Sequence, residues 1–226
     1  MINPSEVFGL TEQHLNKVES QVYLHQDALA PFLQLKQTAL SDDIDLAIAS
    51  SFRDFERQLL IWDQKFSGVR PVYSKTGELI NMNRLSEWQK VEAILAFSAL
   101  PGASRHHWGT DIDVFDKNAV DAEYKIQLSP DEYQQGGPFY KLSKWLINNV
   151  KSHQFFLPYL SENAGIAQEL WHISYYPKAV EYQQYLQKNP DSLLQLLQKN
   201  DIAGISVISE HFDKILDDYI FNISEV

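Results

Sequence analysis

The sequence predicts an α+β fold, and three observations carry that prediction. Short apolar segments bounded by polar residues sit among longer amphipathic stretches, and one segment alternates acidic with branched apolar residues. The two kinds of segment do not follow one another in the regular order of a doubly wound sheet. A chain of 226 residues with 44% hydrophobic side chains can bury a sizeable core, about 70% of its unfolded surface at this size. No internal repeat, long charge block or low-complexity linker divides it.

Asp45 to Ser50 (DLAIAS) reads as a buried strand leading into Ser51-Phe52-Arg53. A helix follows, because Phe55, Leu59, Trp62 and Phe66 recur at helical spacing, which leaves Arg53 at the strand–helix junction. Ser67 to Asn83 carries Gly, Pro, Ser and Asn punctuation and reads as a long loop or small hairpin at the rim of a groove. A second helix is expected from about Leu85 to Leu100, ended by Pro101-Gly102. Thr110 to Phe115 alternates Asp111 and Asp113 with Ile112 and Val114, a strand with one polar and one apolar face. A third helix spans Pro138 to Val150 with Phe139, Leu142, Leu146 and Val150 inward. Gln154 to Leu157 and Leu170 to Ser174 read as further strands. After Pro177 come Gln-rich amphipathic stretches, a strand at Ile205 to Ile208 and a helix through HFDKILDDYIF. The expected division is therefore a domain over 1–177 and a C-terminal appendage over 178–226 packed on it.

Composition excludes several function classes. A net charge of -11 disfavours nucleic acid, whose affinity depends on Lys and Arg displacing counterions. No apolar run reaches the roughly 18 residues a membrane span needs. The opening MINPSEVFGLTEQHL lacks a basic start followed by an apolar stretch. A cytoplasmic location is the expectation for the chain as it stands, or the periplasm if a leader has been trimmed. With no cysteine, any metal must be held through His and carboxylate.

Two segments carry candidate chemistry. In Ser104-Arg105-His106-His107-Trp108-Gly109-Thr110-Asp111-Ile112-Asp113, His106 and Asp113 offer two ligands for a site of the open, three-ligand kind. They converge only if the chain turns between them, and Gly109 permits the turn. By itself the segment fits a metal site and a polar surface loop equally well. In Glu169-Leu170-Trp171-His172, His172 offers a third ligand and Glu169 a general base. Residues three apart face opposite ways in a regular strand, so a bulge or turn is expected at Leu170-Trp171.

Together the segments resemble the D-alanyl-D-alanine carboxypeptidase family of zinc peptidases, which is related to lysostaphin-type endopeptidases and the hedgehog signalling domain. Ser104, His106, Gly109 and Asp113 match its Ser-x-His-x-x-Gly-x-x-x-Asp motif, and Glu169, Trp171 and His172 its Glu-x-Trp-His motif. Ser50 through Arg53, with Gln58, resembles a third element. The resemblance spans about Asp45 to Tyr175. It implies a small, mainly antiparallel sheet carrying one zinc ion per chain on His106, Asp113 and His172. Glu169 would activate the water, Arg53 would stabilise the oxyanion or capture a substrate carboxylate, and Ser104 and Gln58 would assist in binding. The implied substrates are peptidoglycan stem peptides losing a terminal D-alanine, preferably small soluble ones given the acidic chain. The alternatives are a peptidoglycan endopeptidase and a non-catalytic zinc-binding domain of the same fold. D,D or L,D specificity, the physiological metal and the oligomeric state are not readable. Two positions depart from simple expectation: Asp111 shares a face with Asp113, either to bond a ligand histidine or to compete for the metal, and His107 adjoins His106.

Overall fold

A computed structural model describes residues 2–161 and 165–224. Residues 2–25, whose sequence pattern predicts nothing specific, hold a one-turn helix α1 (Pro4–Val7) and a hairpin of β1 (Leu15–Glu19) and β2 (Val22–His25). Helix α2 (Gln26–Ser41) follows, and His25 Nδ1 caps it by accepting from the Asp27 N–H at 3.1 Å.

The central sheet contains β3 (Leu46–Ser50), β4 (Asp111–Asp116), β5 (Phe155–Phe156) and β6 (His172–Tyr175). They lie in the order β3-β4-β6-β5, and each neighbouring pair is antiparallel. The alternation in β4 sets its faces. Ile112 and Val114 are fully buried in a core with Phe32 and Leu35 of α2 and Leu142 and Leu146 of α6 (Tyr140–Asn149), while Asp111 and Asp113 face the other way. The short helix α5 (Pro130–Tyr133) precedes α6.

Helix α3 (Phe55–Phe66) starts at Asp54, whose carboxylate accepts from the Arg57 N–H at 2.6 Å. The loop after it is a small hairpin bridged at Tyr73 and Leu79. Helix α4 (Glu87–Leu95) begins with a reciprocal capping box of Ser86 and Gln89 and ends earlier than the expected Leu100. Distant partners explain the early stop: the Ala96 carbonyl accepts from Ala167 N at 3.0 Å, and the Ala99 carbonyl from Gln58 Nε2 at 2.6 Å. Those carbonyls leave the helical ladder to make these bonds.

The C-terminal part is helical throughout: α7 (Tyr176–Lys188), α8 (Pro190–Lys199), α9 (Ile205–Glu210) and α10 (Phe212–Ile215), which widens into a π turn over Leu216–Ile220. The expected strand at Ile205 to Ile208 is thus the helix α9. A short apolar run does not distinguish the two by periodicity. Here Gly204, at φ 79, turns the chain, and Ile208 buries itself among helices where no sheet edge is present. A second core joins Trp62, Val91, Ile94 and Trp108 to Ala179, Tyr182, Leu186, Leu193, Leu197 and Ile215. The tail is therefore one wall of that core. No helix among the described residues is long and apolar enough to cross a membrane.

Candidate metal centre

The site forms where three local features meet. Residues Arg105–Trp108 make a single 3₁₀ turn, closed by Gly109 in the left-handed region at φ 66. A Cβ on Gly109 would come within 2.4 Å of Leu15 Cδ2 and 2.8 Å of the His25 nitrogen, so the position needs glycine for conformation and for space. This turn brings His106 over the polar face of β4. In the β4–β6 ladder Asp113 lies directly opposite His172, and Asp111 opposite Ser174, so each pair shares the face the turn covers. The third feature is a turn at Leu170 and Trp171, with His172 N donating to the Glu169 carbonyl at 3.4 Å. It buries Trp171 in the core and leaves Glu169 on the same side as His172.

His106, Asp113 and His172 each offer a ligand atom, and these atoms all lie within 4.8 Å of one another. His106 Nδ1 donates to the Ser51 carbonyl at 2.9 Å, leaving Nε2 as an acceptor 3.3 Å from Asp113 Oδ2. His172 Nε2 lies 2.9 Å from Asp111 Oδ1, which turns Nδ1 toward Asp113 Oδ1 and Glu169 Oε2, each at 3.3 Å. Both rings are thus oriented through their outer nitrogens, as metal-ligating imidazoles generally are. Asp113 Oδ1 is buried without a hydrogen bond, an arrangement that a bound cation would satisfy. The residues present fit a divalent metal ion.

Asp111 is not a competing ligand. Its Oδ1 accepts from Arg105 Nε at 2.7 Å as well as facing His172, and its Oδ2 accepts from Thr110 at 2.7 Å and Ser174 at 3.0 Å. Burial would raise its carboxyl, but the Arg105 charge and the His172 and Thr110 bonds hold it below the ordinary carboxylate range. Asp113 is likewise held low, against burial, by His106 and His172. Burial opposes charge on His172, yet Asp111, Asp113 and Glu169 converge on its ring and raise its pKa well above the usual imidazole value. His107 points away from the site: Nδ1 donates to the Arg53 carbonyl at 2.6 Å and Nε2 accepts from the Gly102 N–H at 3.0 Å. Burial lowers it to about 3.

A cavity of about 590 Å³ opens above this floor, lined by Arg53, Ser104, His106, Asp113, Glu169 and His172. The Arg53 guanidinium donates to Gln58 Oε1 at 2.6 Å and to Ser50 Oγ at 3.4 Å. Gln58 is fully buried and does not line the cavity. Its amide is committed to Arg53 and the Ala99 carbonyl, so it positions Arg53 and is not placed to touch a substrate. Four functional-site residues have no counterpart among the sequence candidates. Arg105 also donates to Gln183 at 2.9 Å and to Ser174 at 2.7 Å, and these three hold Asp111 in place. The fourth, Tyr159, lines the cavity with its ring 5.0 Å from that of His172. Its burial pushes the phenol up to about 12. The parity of Ser174 with His172 was the one signal available for this group.

Residues 21–178 match the family model described as VanY, D-alanyl-D-alanine carboxypeptidase. The chain belongs to this family. The match begins at the turn of the N-terminal hairpin and takes in β2 and α2, ahead of the segment in which the motifs lie. Two proteins from Haemophilus influenzae, both described only as uncharacterized, are similar to it. One is 37% identical over 123 residues, 54% of this chain and 92% of the relative; the other is 41% identical over 103 residues, 44% and 70% respectively. Among solved structures, a mutant of the vancomycin-resistance D,D-pentapeptidase VanY in complex with Zn(II) aligns with a TM-score of 0.52 at 20% identity, covering 76% of this chain and 86% of that one. VanYB in complex with D-alanine-D-alanine aligns at 0.52 and 21%, covering 77% and 88%. The LD-carboxypeptidase LdcB aligns at 0.51 and 20%, covering 88% and 73%. These structures share the α+β fold of the family.

Proposed function

We propose that the chain is a zinc-dependent carboxypeptidase that removes a terminal D-alanine from peptidoglycan stem peptides. The observation that carries this reading is the convergence of two oriented imidazoles and an unsatisfied carboxylate oxygen beside Glu169, at the floor of an open cavity. His106, Asp113 and His172 would hold one zinc ion, which supplies the Lewis acidity that polarises a carbonyl and acidifies water. Family membership and the Zn(II) and D-alanine-D-alanine complexes of fold relatives support the choice of metal and substrate.

The chain's own residues divide the remaining work. Glu169 accepts a proton from the attacking water and delivers it to the leaving amine. Arg53, fixed by Gln58 and Ser50, presents its remaining N–H groups to the cavity, where they bind the terminal carboxylate or the developing oxyanion. Ser104 lines the same cavity and donates to the substrate backbone. Asp111 and Arg105 keep the His172 ring from rotating.

Mass spectrometry of tetrapeptide and pentapeptide stems tests the reading, using the zinc-loaded protein, the chelated protein and Glu169→Ala. Zinc-dependent loss of one alanine, absent in the variant, is the expected result, and the preferred stem distinguishes L,D from D,D cleavage. Internal cleavage would make the chain an endopeptidase. An intact substrate despite stoichiometric zinc would make it a binding domain.

A further inference from the structure

The chain has 30 acidic against 19 basic residues, yet Arg53, Lys65, Arg70 and Lys75 all line the metal-site cavity. Among the described residues, none of the four has a carboxylate within 4.0 Å. In a chain with acid in excess, four cations without ion pairs in one cavity are positioned for an anionic ligand. Arg53 has its role beside Glu169, and the Lys75 ammonium donates to the Ile166 carbonyl at 3.3 Å. Lys65 and Arg70 are left without a task in the reaction.

Both lie at the C-terminal end of α3, where cations commonly offset the exposed carbonyls. That role does not account for them here. The closing turn already satisfies the carbonyls: Asp63 accepts from Ser67 N at 3.0 Å, Gln64 from Arg70 N at 2.9 Å, and Lys65 from Gly68 N at 3.0 Å. The Lys65 ammonium instead donates to Ser98 Oγ at 2.5 Å, which pins the half-buried side chain against the cavity wall. The Arg70–Gln64 bond folds Arg70 back beside the same helix end. Burial, with Arg70 adding to it, lowers the Lys65 ammonium to about 8, a direction that an arriving anion would reverse.

We infer that Lys65 and Arg70 form an anion subsite, so that the preferred peptide carries a second carboxylate upstream of the bond that is cut. This rests on the peptidase reading above. Phe55 and Lys65 are about 15 Å apart along α3 at ~1.5 Å per residue. An extended peptide advances ~3.3 Å per residue. A chain with its terminal carboxylate at Arg53 therefore brings an acidic side chain to Lys65 within about four or five residues.

The test uses N-acetylated pentapeptides ending in D-alanyl-D-alanine, with glutamate or glutamine at each of the two positions farthest from the terminal carboxylate. Calorimetry measures their binding to the zinc-loaded Glu169→Ala protein, and kcat/KM is measured for the unaltered enzyme. Glutamate at one position should be preferred about tenfold in both measurements, as two charge-assisted contacts imply, and the preference should shrink as salt rises. In Lys65→Gln/Arg70→Gln the glutamate-to-glutamine ratio should fall to about one, whereas Lys65→Arg/Arg70→Lys, which keeps both charges, should retain it. Equal binding of the two peptides, or a preference that survives the double glutamine variant, overturns the subsite alone. Failure of every peptide to bind or be cleaved overturns the peptidase reading beneath it.

Discussion

The floor of the cavity and the helical wall after Pro177 are both buried, but by opposite means. In the floor, Arg105, Asp111, Asp113, His106, His172 and Ser174 are buried polar groups, held in place by hydrogen bonds that cross from one strand or turn to another. In the wall, Leu186, Leu193, Leu197, Ile208 and Ile215 are buried apolar groups with no such specificity. Each contributes about 1.5–3 kcal/mol through transfer from water. Removing one partner from the floor instead strands a charge, at about 3–5 kcal/mol. The summed burial of the wall should therefore govern whether the chain folds, and the floor should govern what the folded chain can do, with stability lost as well wherever one of its charges is unpaired. Gln183 links them, reaching from α7 to accept from Arg105 at 2.9 Å.

The harshest way to break this comparison is to end the chain after Pro177. Half of the second core then faces water, and the truncated protein should lose its cooperative melting transition in circular dichroism. A native-like transition would show that the wall is dispensable. Glu169→Ala should do the reverse, lowering kcat about 10²–10⁴-fold while the melting temperature stays within a degree or two. A large fall in stability would assign Glu169 a structural role.

Asp111→Asn should touch both properties, because it keeps the shape of the floor but removes the charge facing Arg105 and His172. Zinc affinity by competition with a chromogenic chelator should drop about 10–100-fold, and denaturant unfolding should show a loss of roughly 3–5 kcal/mol. Unchanged affinity would mean that Asp111 does not orient His172.

The smallest effect is in acid. Burial lowers His25 to about 4 and His107 to about 3, and each uses its unprotonated nitrogen to accept a backbone N–H. Both histidines recover the ordinary value of 6.5 on unfolding. Their contribution is complete above that pH and is lost as the pH falls from there to about 4 for His25 and about 3 for His107, by an amount on the order of a few kcal/mol each. Denaturation across this range should give a shallower slope for His25→Gln than for the unaltered protein, a comparison in which contributions from the cavity floor cancel.

Much of the site was legible because its chemistry lies in short segments. The Gly109 turn and the Leu170–Trp171 turn follow from the need to bring residues of opposite parity together, and the alternation of Asp111 to Val114 fixes the two faces of β4. Partnerships between distant segments were not legible. Arg105, Asp111, Ser174 and Gln183 meet only through strand register and the seating of α7, and sequence left two roles open for Asp111. His106 and His107 are neighbours on a single 3₁₀ turn whose opposite sides face the site and the core. The end of α4 depends on carbonyls captured by Ala167 and Gln58. The tail looked like an appendage because amphipathic helices reveal an apolar face without revealing what covers it.

The most direct test of the account is diffraction from zinc-soaked crystals on either side of the zinc absorption edge. The account predicts one anomalous peak per chain, bounded by His106 Nε2, Asp113 and His172 Nδ1 and open toward Glu169. A peak held by His107 or by Asp111, or no peak on this floor at full zinc occupancy elsewhere, would contradict it.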